Sequence, residues 1–366
     1  MSQSPPSEPA PAPKKRGMQD FERALEGSTA EVARFEEPRR SVIQHVQHFL
    51  HSNPTIVPVI VLVVSALVFG AIANNFFTPF NLTLIIQQVT IIGILGIAQT
   101  LVILTAGIDL SVAAMMMLAT VVMGQLGVSA GLPAVIAIPV GILCGLVTGA
   151  INGGLVTIFR LPPFIVTLGT WKIFFALVLW LSGGQSIRSQ DIDASAPLLK
   201  LFGDTFSIAG AQFTTGSVMM LLLVLIFWYL LNWTGWGRHV YAVGDDREAA
   251  AMSGIDTKKV LLSVYATAGA LCAFAGWVSV GRVGSVSPQS FFEGNLDAIT
   301  AVVIGGTSLF GGRGSIIGTL IGALIVGVFR SGLNLSGVDV LWQQFAVGAL
   351  IIIAVAIDQW LRKVSG

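Results

Sequence analysis

The chain has 366 residues, 54% of them apolar even with glycine left out, and only 11% charged. Soluble domains average roughly 45–50% apolar with glycine included and about 25% charged, so an ordinary soluble enzyme is excluded. Disorder is excluded for most of the length, because disordered segments are polar and charge-rich. Mean hydropathy is +0.81. The apolar runs are continuous rather than alternating, which argues against a β-barrel. The expected fold is all-α: a polytopic membrane protein with about ten transmembrane helices, one of them short or partial.

Residues 1–53 differ in composition from the rest of the chain and read as a cytoplasmic tail, disordered then amphipathic; residues 54–366 form the transmembrane domain. The first 17 residues are rich in Pro, Ser and Ala and read as disordered. Residues 39–51 place Val42, Val46, Phe49 and Leu50 at helical spacing behind Arg39 and Arg40. That stretch reads either as an interfacial helix or as a lead-in to the first span. No signal peptide is expected: the first apolar run begins near Ile56 and is longer than the roughly 7–15 residues of a signal h-region. His45, His48 and His51 repeat every third residue, a spacing that drifts around a helix, so a solvated face is preferred to a metal site.

Spans are expected near 56–73, 82–104, 111–127, 132–157, 164–182, 216–234, 259–281, 315–331 and 341–358, with a partial one at 296–308. Pro139 should kink the fourth. Lys and Arg in short loops set orientation. With the N-terminus in the cytoplasm, the inside carries Arg160, Arg238, Arg247, Lys258, Lys259, Arg313, Arg362 and Lys363 besides the tail cations. The outside carries only Arg188, Lys200, Arg282 and, at a span end, Arg330. The bias places both termini in the cytoplasm. Lys172, just inside a span, is expected to snorkel to the inner surface. The outside loop 183–215 shows little apolar bulk and reads as a partner-facing surface.

Glycine is abundant, 41 residues, and part of it is ordered. Gly141, Gly145, Gly149 and Gly153 recur every fourth residue, as do Gly314, Gly318 and Gly322. Such rows let helix backbones approach closely in lipid. Asn152 is a polar amide within an apolar, glycine-rich helix, which points to an interhelical hydrogen bond or a cavity. Asp109 interrupts two spans; it either caps the next helix or serves substrate or gating. In the inside loop 236–258, Arg247 to Met252 form a short helix that Gly254 ends. Cys144 and Cys272 lie in apolar runs and read as buried small residues.

No catalytic, metal or cofactor site is expected. The glycine-rich turn 305–314 lacks the Lys-Ser/Thr pair of a phosphate-binding loop. Rhomboid-type GxSG and aspartyl GxGD motifs are missing, and no histidine lies in a span.

Four segments together carry a resemblance: GIDLS (107–111), NGGLVTIFRLPPFIVTLGT (152–170), GRHVYAVGDDREAAAMSGI (237–255) and GGTSLFGGRGSIIGTLIGALI (305–325). Over roughly residues 54–360 the chain resembles the membrane permease subunits of bacterial ABC importers for monosaccharides, the ribose/xylose/fructose type. Where that family usually has further glycine around GIDLS, Ala106 and Ala113 stand. The long tail looks like that of the fructose-type permeases.

The resemblance implies an inner-membrane location and a homodimer surrounded by membrane lipid. It implies a cytoplasmic ABC ATPase subunit on one face and a periplasmic sugar-binding protein on the other; no nucleic acid is expected. The ATPase would dock on the 244–256 helix, with Gly244, Asp245, Glu248, Ala249, Ala250, Gly254 and Ile255 as coupling residues. A path for a neutral sugar needs hydroxyl and amide groups, which nominates Gln87, Gln88, Gln99, Asp109, Asn152, Thr167 and Thr170. Alternatives are a related permease for branched-chain amino acids or nucleosides, and an ion-coupled transporter.

Overall fold

The computed structural model describes residues 55–208 and 210–363. The amphipathic stretch 39–51 and the histidines at 45, 48 and 51 lie outside the described residues.

Ten apolar helices stand among the described residues. In chain order they are α1 (Ile56–Ile72), α2 (Pro79–Leu104), α3 (Val112–Gly124), α4 (Ala134–Ile158), α5 (Pro163–Ser182), α7 (Thr215–Trp233), α10 (Thr257–Val283), α11 (Gly294–Ile304), α12 (Ile316–Leu335) and α13 (Val340–Lys363). A π-turn, Gln125–Ser129, prolongs α3. Three short helices complete the set: α6 (Ser189–Ser195), α8 (Gly235–Asp245) and α9 (Arg247–Met252). Seven of these helices, α3 with its π-turn included, are long and apolar enough to cross a membrane, while α1, α11 and the start of α13 are shorter.

Two helices form the centre. α2 is buried from Val89 to Leu104, and α3 is buried along nearly its whole length. Both lack a polar face, and a helix that is apolar all round belongs inside a protein. Around them pack α4, α5, α10, α11 and α12. The outward faces of α4, α5 and α7 carry exposed Leu, Ile, Val and Trp, such as Trp180 and Trp233, as surfaces facing hydrocarbon do. α4 runs through Pro139 as one helix.

The tightest pairing is α4 on α10. A Cβ on Gly149 would strike the Tyr265 carbonyl, and Gly269 Cα would lie at 3.0 Å. One on Gly145 would strike the Gly269 carbonyl, and one on Gly153 would meet Tyr265 Cβ at 3.0 Å. Gly141 instead faces Met123 of α3. The second row divides. Gly318 and Gly322 of α12 lie against the carbonyls of Gly305 and Ala301. Gly314 precedes the Ser315 cap of α12 and faces Thr307 from the loop, so the four-residue spacing outruns the helix.

The segment 183–215 is folded rather than a plain loop. It holds α6, a 3-10 turn at Pro197–Gly203, and a hairpin pairing Thr205 with Thr214 and Ile208 with Ala211. Ile192, Leu199 and Phe202 are buried. Phe202 packs on Trp277 of α10 at 4.5 Å between centroids, and the Trp277 indole donates to the Leu198 carbonyl at 3.2 Å. Contrary to the expectation of little apolar bulk, it carries Ile192, Leu198, Leu199, Leu201 and Phe202, and α10 supplies partners for Phe202.

Candidate functional site

The break between α2 and α3 is an irregular backbone surrounded by protein. Non-helical backbone at membrane depth must have its polar groups satisfied internally. Side chains from four helices do this. Gln99 of α2, with its amide oriented by the network, donates to the Asp109 carbonyl at 3.0 Å and accepts from the Asp109 N–H at 3.3 Å. Thr167 of α5 accepts from the Leu110 N–H at 3.1 Å and lies 3.0 Å from the Ile108 carbonyl. Asn295 of α11 donates to the Leu110 carbonyl at 3.2 Å. Asn152 of α4 donates to Ser111 Oγ at 2.8 Å.

Asp109 lies at the heart of this knot. Its Oδ1 accepts from the Ser111 N–H at 2.7 Å and the Ser111 hydroxyl at 2.6 Å. Ser111, not Asp109, is the N-cap of α3 and makes no side-chain cap bond. The carboxylate thus closes a turn ahead of the helix. Three neighbouring atoms, Asp109 Oδ2, Asn152 Oδ1 and the Tyr265 hydroxyl, have no hydrogen-bond partner among the described residues.

The structure therefore brings Gln99, Asp109, Asn152 and Thr167 together, each fully buried. Thr170 is buried one turn from Thr167. Gln87 and Gln88 stand apart, half-buried on the first half of α2. Lys172 is exposed at the midpoint of α5, its Nζ 4.4 Å from the Trp171 ring centroid. Either end of α5 is about 14 Å away along the axis.

The segment 236–258 contains two helices, not one. α8 buries Val240, Val243 and Gly244. A Cβ on Gly244 would strike the Leu104 carbonyl, which also accepts from the Gly312 N–H at 3.0 Å. The Tyr241 hydroxyl donates to the Gly314 carbonyl at 2.9 Å, and burial raises its pKa. The end of α2, the end of α8 and the glycine turn 305–314 thus meet backbone to backbone.

α9 comes next, capped by Asp246, whose Oδ1 accepts from the Glu248 and Ala249 amides at 2.9 Å each. Gly254 sits at φ +87°, a left-handed value that glycine adopts without strain. Ala250 turns inward, while Asp245, Glu248, Ala249, Met252 and Gly254 are exposed; Met252 is 90% exposed. Asp256 caps α10 through the Lys259 N–H at 3.1 Å, which holds its carboxyl below the usual range.

One polar group was not legible in the sequence. Asp297 of α11 pairs with Arg330 of α12 inside the apolar part of the fold. Each residue alone resembles a charge near a span end. The signal is that they sit in facing segments which also bring together the small residues Gly305, Gly318 and Gly322.

A bundle of apolar helices with irregular, internally bonded breaks and an exposed capped helix outside the spans is that of a multi-pass membrane protein. Residues 81–355 match the family described as branched-chain amino acid transport system / permease component, and the chain belongs to it. It is 54% identical over 348 residues to the fructose import permease protein FrcC of Rhizobium meliloti, covering 95% of this chain and 97% of that one. It is 38% identical to the ribose import permease protein RbsC of Bacillus subtilis, covering 82% of this chain and 92% of that one. It is 36% identical to the D-allose transport system permease protein AlsC of Escherichia coli, covering 83% and 91%. No solved structure matches.

Proposed function

We propose that this chain is the permease subunit of an ATP-binding-cassette importer, forming the path of a monosaccharide across the bacterial inner membrane. Fructose or ribose is the favoured cargo. The observation that carries this reading is the 54% identity, along nearly the whole of both chains, to a fructose import permease. The ribose and D-allose relatives are also named for sugars, which sets sugar ahead of branched-chain amino acids. ATP hydrolysis belongs to a separate cytoplasmic subunit that docks on α9, with Met252 and Glu248 offered to it and Gly244 and Ala250 supporting the helix from behind. A periplasmic sugar-binding protein meets the folded 183–215 segment. Two copies of the chain form the transporter, with both termini in the cytoplasm.

The expected mechanism is alternating access. Closure of the ATPase pair displaces α9 and α8, and the backbone contact of Gly244 with Leu104 and Gly312 carries the displacement to α2 and α12. Gln87 and Gln88 lie toward the path. Gln99, Asp109, Asn152, Thr167 and Thr170 hold its wall, since each is buried and bonded. The test is competition: uptake of labelled D-fructose in cells carrying the intact importer should fall with excess D-fructose or D-ribose and be indifferent to L-leucine. Competition by L-leucine alone would replace the cargo assignment.

A further inference from the structure

A cavity of about 480 Å³ opens where α11, α12 and α13 meet, within the roughly 300–1,000 Å³ of small-molecule sites. Phe291, Phe292, Glu293, Asp297, Arg330 and Gln344 are among its lining residues. Its depth is set by its neighbours. α11 has 11 residues, about 16 Å at 1.5 Å each. The chain beyond its C-terminal end joins the inner cluster of Leu104, Gly244 and Gly312. At the other end, Phe292 packs on Trp171 at 5.6 Å, about 12 Å along α5 from Pro163. Arg330 stands near the end of α12 at Leu335, and Val340 begins α13, so the cavity lies in the outer half of the bundle, from the depth of Asp297 to the outer ends of those two helices. Polar and charged side chains within spanning segments, such as Asp297 and Arg330, mark substrate pathways.

The chemistry is mixed. Arg330 donates and Asp297 accepts, and the two neutralise each other. Glu293 accepts from the Gln344 amide at 3.2 Å, and an amide both donates and accepts. Two phenyl rings supply apolar faces. Phe291 is held at φ +60°, a conformation that a bulky residue adopts only under strain and that collects at ligand clamps. Behind it, Arg282 lies 5.7 Å from the ring centroid, and its buried Nη1 has no hydrogen-bond partner among the described residues.

We propose that this cavity is a binding site in the outer half of the bundle for a neutral polyhydroxylated molecule, with carboxylate, guanidinium and amide groups on its hydroxyls and the Phe291–Phe292 pair against its C–H face. The inference rests on the proposed sugar import and adds residues that the path along α2 and α5 lacks. A site on a path must also release its occupant, so half-saturation near about 1–10 mM is expected.

The test places a reporter at Val340, which lines the cavity and is exposed. Val340→Cys in the full chain within membranes is labelled with an impermeant maleimide, the unaltered chain giving the background from Cys144 and Cys272. D-Fructose or D-ribose at about 10 mM should slow labelling severalfold, while L-leucine and NaCl should not. Adding Phe292→Ala or Glu293→Gln should raise the half-protecting concentration at least fivefold. Unchanged labelling with every sugar, or equal protection by L-leucine or salt, overturns the proposal. Should Val340→Cys fail to insert, tryptophan emission of the unaltered chain must shift with the same sugars and lose that shift in Trp171→Phe; no shift overturns it. Sugar uptake that persists without protection removes the site and leaves the import reading standing, whereas absent uptake removes that reading.

Discussion

Gly149→Ala adds one methyl group where α4 crosses α10. Its Cβ would strike the Tyr265 carbonyl and sit 3.0 Å from both Gly269 Cα and Gly269 N. Carbon pairs settle at about 3.5–4.0 Å, and a gap of 0.5–1 Å forfeits a quarter to a half of each dispersion well. All of the close atoms are backbone, so the helices themselves must part. That loosens the neighbouring contacts at Gly145 and Gly153. Overpacking of this kind costs about 1–3 kcal/mol, or several degrees of melting temperature at roughly 2–4 °C per kcal/mol. Gly154→Ala is the matched control: the same helix, five residues on, with its nearest obstacle the Ile158 Cδ1 at 3.9 Å. Alanine there gains up to about 1 kcal/mol of helix propensity. Thermal unfolding of the purified chain in detergent should therefore fall for Gly149→Ala and hold or rise for Gly154→Ala. Equal melting of the two variants would refute the close backbone crossing.

Three further outcomes rest on particular residues. Ala106 sits at φ +59°, a left-handed value that costs an L-residue about 1–2 kcal/mol; Ala106→Gly should raise the melting temperature, and a lowered one would contradict that strain. Asn152→Ala removes the bond to Ser111 Oγ and strips a partner from a buried hydroxyl, at a cost of about 1–3 kcal/mol; the same melt should fall while membrane insertion persists. Gly254→Leu meets open space but must hold φ +87°, so the end of α9 should shift and uptake should be lost with the amount in the membrane unchanged; a normal uptake rate would count against the docking role.

The spans were legible because each is a predominantly apolar run with at most an isolated charge, a signal that needs no partner to read. α3 illustrates a finer case: Val112–Gly124 has no polar face, which leads directly to burial on all sides. Glycine spacing marked the α4 face but not its partner, since Tyr265 and Gly269 lie more than a hundred residues away. Spacing failed at Gly314, where a loop glycine continues the helical period by chance. The 183–215 segment was misread as a plain surface loop because its apolar residues are broken into short runs, and the packing of Phe202 on Phe274 and Trp277 of α10 is a tertiary contact. In the candidate site, Asp109 and Asn152 stood out as polar groups in apolar surroundings, yet the Gln99 and Thr167 bonds to the 108–110 backbone are tertiary contacts that no local pattern announces. The Asp297–Arg330 pair was hidden for the same reason.

Under the proposed function, this chain moves sugar only when coupled to a separate ATPase. Uptake of labelled D-fructose in cells with and without the ATPase subunit, at equal permease levels, tests it directly. Uptake should collapse when the ATPase is deleted. Undiminished uptake in its absence would contradict it and turn attention to ion coupling.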